Sequence, residues 1–163
     1  IQSKIEGMEL GADAYIEKPF SVEYLQACAS NLIQNREKLR RTFAQSPFVA
    51  ANTMALTKAD EDFIKRLNEV ILANLNNPEF SMDDIADSLN MSRSNFYRKI
   101  KGVLDLSPNE YLRLERLKKA AQLLKEGEGR VTEICYMVGF NSPSYFAKCF
   151  QKQFGVLPKD FVD

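Results

Sequence analysis

The sequence predicts a mainly α fold, with two helix-turn-helix subdomains joined by a long helix and preceded by a fragment of one short strand plus helices. Three observations predict it. Apolar residues recur at spacings of three and four, the mark of helices with one buried face. Ser-Pro pairs and Ser-x-x-Asp/Glu pairs stand where those helices should start, and Gly or Asn where they should stop. The third is a repeat. One arrangement of turn, cap, apolar stripe and stop is written twice, 50 residues apart.

In chain order, Ile1–Leu10 has helical spacing and ends at Gly11, and Ala14-Tyr15-Ile16-Glu17 reads as a short strand. After Lys18-Pro19-Phe20, Ser21 caps a helix with Glu23 in its first turn. Leu25, Cys28, Leu32 and Leu39 give it an apolar rhythm that Asn35 and Thr42 interrupt. The basic stretch 34–43 allows two readings: a signalling helix pairing with its copy, Asn35 fixing the register, or a solvated connector. Residues 45–56 have little charge and no period, and read as an ordered, irregular linker with Phe48, Val49 and Leu56 free to dock.

A domain over 57–163 follows. Thr57 with Asp60 starts a helix whose apolar face is Phe63, Ile64, Leu67, Val70, Ile71 and Leu75, stopped by Asn76-Asn77-Pro78. Ser81 with Asp84 caps the next helix and opens the first helix-turn-helix unit, about 81–106; the second spans about 132–157. In the second unit Thr132 is the expected cap and Ile134, Cys135 and Val138 the core positions. Gly139 provides the positive φ of the turn, and Ser142-Pro143 starts the next helix. Tyr145, Phe146, Cys149, Phe150 and Phe154 form one apolar stripe on it, and Gly155 ends it. Shifted back by 50, Ser142 falls on Ser92, Ser144 on Ser94, Phe146 on Phe96, Lys148 on Arg98 and Pro158 on Pro108, with Asn90 in the place of Gly139.

Between the units, Ser107-Pro108-Asn109-Glu110 starts a long helix that buries Tyr111, Leu114, Leu117, Ala121 and Leu124 and leaves Arg113, Arg116, Lys118 and Lys119 exposed. At about 1.5 Å per residue it spans roughly 27 Å. With the flanking units added, the two reading helices stand about 34 Å apart, one turn of duplex DNA.

The pattern I-x3-V-G-F-x-S-x-S-Y-F-x-K-x-F-x-K-x-F-G-x-x-P from Ile134 resembles the signature of AraC-type transcription regulators over about Thr57–Asp163. It departs at Leu157 and Val162, where that family usually has Thr and Arg. The resemblance implies sequence-specific binding of double-stranded DNA and transcription activation, with RNA polymerase a further candidate partner. Upstream, G-A-D-A-Y-I-E-K-P-F resembles the closing segment of response-regulator receiver domains, so residues 1–44 read as a truncated receiver fragment with an extended helix. That resemblance implies a switch role for Tyr15, a phosphoryl contact for Lys18 and a cis Lys18–Pro19 bond, incomplete here because the phosphate-accepting Asp lies upstream. The expected context is a two-component or hybrid sensor system, cytoplasmic, its parent free or joined to a membrane kinase.

Charge and composition narrow the function. Lys plus Arg equals Asp plus Glu at 22 each, so net charge says nothing of partners. Locally, Ser92–Lys101 carries Arg93, Arg98, Lys99 and Lys101 with no acid, while Asp83, Asp84 and Asp87 lie on the supporting helix. An ordinary solvated face competes with a groove-entering one, and the repeat favours the latter. With no His and three scattered Cys, zinc ligation and His-dependent catalysis lack their parts; no cofactor, metal or small-molecule ligand is expected, and the cysteines read as free thiols. No run approaches the roughly 20 apolar residues of a membrane span.

The expected reading set on the first helix is Arg93, Ser94, Tyr97, Arg98 and Lys101. Arg98, Tyr97 and Ser94 are assigned to bases, and Arg93 and Lys101 are divided between base and phosphate. On the second helix Ser142, Ser144 and Lys148 are assigned mainly to phosphates, which position without specifying. Two rivals remain: a protein-protein interaction module that does not bind DNA, and an enzyme carrying such a domain, for which the chain offers no nucleophile–base pair.

Overall fold

The computed structural model describes residues 5–7, 12 and 14–161. Residues 5–7 are helical; the rest of the expected opening helix lies outside the described residues. Then follow α1 (Val22–Gln45), α2 (Lys58–Ala73), α3 (Met82–Ser88), α4 (Arg93–Leu104), α5 (Pro108–Glu126), α6 (Val131–Met137) and α7 (Pro143–Phe154), with short 3-10 turns at Ala51–Met54 and Pro158–Asp160. The fold is mainly helical with two helix-turn-helix units, α3–α4 and α6–α7.

The strand expected at residues 14–17 does not form. A strand must share its N–H and C=O groups with a neighbour, and no strand exists among the described residues to receive it. The Lys18–Pro19 bond is cis, as expected.

The helix starts follow the caps. Ser21, Thr57, Ser92 and Ser142 each accept the N–H three residues on, and Ser81 with Asp84 and Ser107 with Glu110 form reciprocal capping boxes. Thr132 is the exception. The chain enters α6 two residues earlier, and the Glu133 carboxylate accepts the Arg130 N–H at 2.8 Å, leaving Thr132 inside the helix. Leu157 opens the last 3-10 turn with no side-chain cap, while Val162 lies outside the described residues.

The rod α5 lies between the units and is buried along Tyr111, Leu112, Leu114, Leu117, Ala120, Ala121 and Leu124. Lys118, expected to be exposed, is buried with 7% of its surface accessible. The end of α1 covers it: its Nζ donates to the carbonyls of Phe43 (2.5 Å), Ser46 (3.1 Å) and Val49 (2.6 Å) and sits 3.9 Å from the centre of the Phe43 ring. Burial pulls its pKa down to about 8 against the opposing pull of Glu115. Arg116 is half-buried against the second turn, donating to the Asn77 carbonyl at 2.9 Å, Lys119 is half-buried as well, and Arg113 alone of the four stays exposed.

The two turns differ in what they face. Asn90 takes φ 53° in the exposed first turn. Gly139 takes φ 87° against the end of α2, where a Cβ would collide with the Leu75 carbonyl and lie 3.0 Å from the Arg116 guanidinium. Cys28, Cys135 and Cys149 are free thiols.

Candidate nucleic-acid interface

Each reading helix is held by an apolar face sunk in its own unit. Phe96 and Ile100 anchor α4, Phe146 and Phe150 anchor α7, and all four are at most 1% exposed. That burial fixes which side chains can point out. On α4, Arg93, Ser94, Arg98 and Lys101 are exposed and Tyr97 is half-buried; on α7, Ser144 and Lys148 are exposed and Ser142 is half-buried at the cap.

The α4 side chains are already partly organised. The Arg93 guanidinium lies 5.4 Å from the Tyr97 ring centre, with its Nε 3.6 Å from Asp83 on the supporting helix. Arg98 donates to the Asn95 side-chain oxygen at 2.8 Å, and Lys101 reaches Asp105 at 3.3 Å. Lys99 points back, pairing with Asp60 at 2.8 Å, and so braces α4 against α2. On α7, Ser142 Oγ accepts the Tyr145 N–H and lies 3.3 Å from Ser144 Oγ.

One groove joins the two helices. Arg93 and Tyr97 from α4, Tyr145 from α7, and Asn109, Arg113 and Arg116 from the rod line a cavity of about 640 Å³. Arg113 donates to Tyr145 Oη at 3.4 Å across it. Arg98 lies outside this groove, in a cleft with Asn95 and Asp60, and Lys148 lines another with Arg113 and Lys152. Tyr145 corrects an expectation: placed on the buried stripe by its spacing, it is 50% exposed, lining the open groove with its ring beside Phe140 and its hydroxyl accepting from Arg113. Asn95, Arg113 and Tyr145 were not in the reading set. Asn95 carried the legible signal, as a polar residue on the outward side of the same helix.

Among the described residues, no helix is long and apolar enough to cross a membrane.

Comparison with known proteins places this geometry. Residues 85–163 match the family model of a helix-turn-helix domain. The chain is 36% identical to histidine kinase P4 of Formosa agariphila over 158 residues, 97% of this chain and 12% of the kinase. The C-terminal domain of AraT, a response regulator from Geobacillus stearothermophilus, superimposes with a TM-score of 0.55 at 31% identity, over 60% of this chain and 81% of that one. The DNA-binding domain of the global transcriptional factor AdpA, solved in complex with a target DNA, gives 0.53 at 27% identity, over 60% and 89%. The chain spans between 12% and 33% of the length of the first curated relatives it matches.

Proposed function

We propose that this chain carries a helix-turn-helix DNA-binding domain of the AraC type and is the sequence-reading output module of a two-component or hybrid sensor system. In this reading α4 and α7 enter successive major grooves on one face of a duplex. The observation that carries it is the pairing of two like-built units across one groove: Arg93 and Tyr97 of α4 face Tyr145 of α7 there, Arg98 and Lys148 stand exposed outside it, and the 19-residue rod beneath, about 28 Å long, lies between the two helices. The likeness to a histidine kinase along nearly the whole chain supports the signalling context, with Tyr15 and Lys18 as the tail of a receiver domain.

The division of labour follows from the side chains. Arg98, Tyr97 and Ser94 read base edges; Arg can bond guanine O6 and N7 together, and a good bidentate pair discriminates by about 1–3 kcal/mol. Arg93 and Lys101 serve base and phosphate, each exchanging a carboxylate neighbour, Asp83 or Asp105, for DNA. Ser142, Ser144 and Lys148 hold the backbone. RNA polymerase and a second copy through residues 21–44 are further partners in this reading.

Selection of bound duplexes from a random pool tests it. Enrichment of a defined sequence, bound with an affinity that falls steeply as salt rises, is the expected result. A folded chain that enriches nothing and shows no salt-dependent binding would leave the protein-interaction reading standing instead.

A further inference from the structure

We propose that the last three turns of α1 are a strut that sets the mutual position of the two reading helices, making Arg36, Arg40, Lys118 and Gln153 positioning residues for DNA recognition. The idea rests on the function proposed above but on different contacts. Arg36 Nη2 donates to the Val103 carbonyl at 2.7 Å, and Arg40 lies 3.5 Å from Asp105, the left-handed residue that ends α4. Two turns on, Gln153 of α7 donates to the Ala44 carbonyl at 2.5 Å, and Lys118 of the rod takes the Phe43 carbonyl. One short stretch of helix thus touches the C-terminal ends of both reading helices and the rod between them.

The chemistry suits a permanent joint. The last carbonyls of a helix have no partner within it, and they carry the negative end of its dipole. Here a buried ammonium and a side-chain amide satisfy two of them, while Phe43, 1% exposed, fills the space beneath. A charge buried this deeply is strongly penalised when its acceptors are removed, so the end of α1 is held in one place. At the other end of this stretch two arginines grip the end of α4. Rotating or sliding α1 would therefore shift α4 relative to α7, and the functional unit begins near Arg36 rather than at Thr57.

Position, unlike stability, has its own readout: tolerance of half-site spacing. The full chain is compared with the Arg36→Ala/Arg40→Ala double variant and with Gln153→Ala, whose altered side chains are partly exposed, on duplexes whose two half-sites are moved apart or together by one or two base pairs. The wild type should prefer one spacing by about tenfold or more. The variants should fall to within about threefold across the series while binding an isolated half-site as the wild type does. A second measurement needs no DNA: the distance distribution between nitroxide labels at Ser94→Cys and Ser144→Cys, with Cys28 and Cys149 changed to serine. It should be narrow in the wild type and broadened or displaced in both variants. A wild type that binds no DNA, with a distribution that broadens in the variants, supports the strut while counting against the DNA function. Identical distributions and identical spacing curves for wild type and variants overturn the strut, whatever the affinity.

Discussion

The two helix-turn-helix units are built alike and equipped differently. Both reading helices start at a capping Ser, sink an aromatic residue four positions later (Phe96, Phe146) and a second large apolar residue a turn beyond (Ile100, Phe150). Their outward sides diverge. α4 offers Arg93, Ser94, Asn95, Tyr97, Arg98 and Lys101, with two arginines in its first two turns, whereas α7 offers Ser144, Tyr145, Lys148, Gln151 and Lys152 and has no arginine. Duplication preserves what packing demands and leaves free what faces outward. The turns repeat the lesson in reverse: the first faces solvent and tolerates Asn90, while the second is pressed onto α2 and the rod, where only Gly139 fits.

The largest effect should come from that second turn. Gly139→Ala combines a left-handed backbone with a collision against the Leu75 carbonyl, so denaturant melts should show a loss of about 3 kcal/mol or more. Asn90→Ala, with the same backbone need and open surroundings, should lose only about 1 kcal/mol. Equal losses would erase the contrast between the turns.

Next come the reading faces. Arg98→Ala should weaken binding to the selected duplex by about 1–3 kcal/mol and binding to random duplex far less. Equal loss on both duplexes would remove α4 from base reading. Lys148→Ala should cost less and cost it uniformly, lowering the slope of log affinity against log salt by about one. A sequence-dependent loss there would give α7 a reading role instead.

The fold was legible where the signal is local. Caps, stops and the positive φ at Asn90 and Gly139 depend on a few adjacent residues, and the repeat multiplied their weight. What stayed hidden depends on partners distant in the chain. Lys118 lies on the rod like its basic neighbours, and nothing nearby says that α1 returns to cover it. The expected strand at 14–17 needed a neighbour to pair with. Spacing placed Tyr145 on the apolar stripe, but could not show that a groove lined by the rod's Arg113 opens beside it. The outward set on α4 was legible because Phe96 and Ile100 fix its phase; the groove that Arg93 and Tyr97 share with Arg113 and Tyr145 was not, because the packing of one unit on the other creates it.

The smallest effect concerns the caps. Hydrogen bonds from Ser107 hold the Glu110 carboxyl below its usual value of 4.5, and those from Ser81 hold Asp84 below 3.8. A depressed carboxylate stabilises the fold fully above its unfolded pKa and loses that contribution as pH falls through the lower folded value. Glu110→Gln should therefore cost about 1 kcal/mol or less at neutral pH, with the gap to wild type closing in acid. A gap that persists unchanged at low pH would deny the carboxylate its part in the cap.

The most direct test of two grips on one face is a hydroxyl-radical footprint of the full chain on its selected duplex. Two protected windows, centred about 10 base pairs apart on the same side of the helix, are expected, with Arg98→Ala weakening the one under α4. A single window, or two on opposite faces of the duplex, would contradict it.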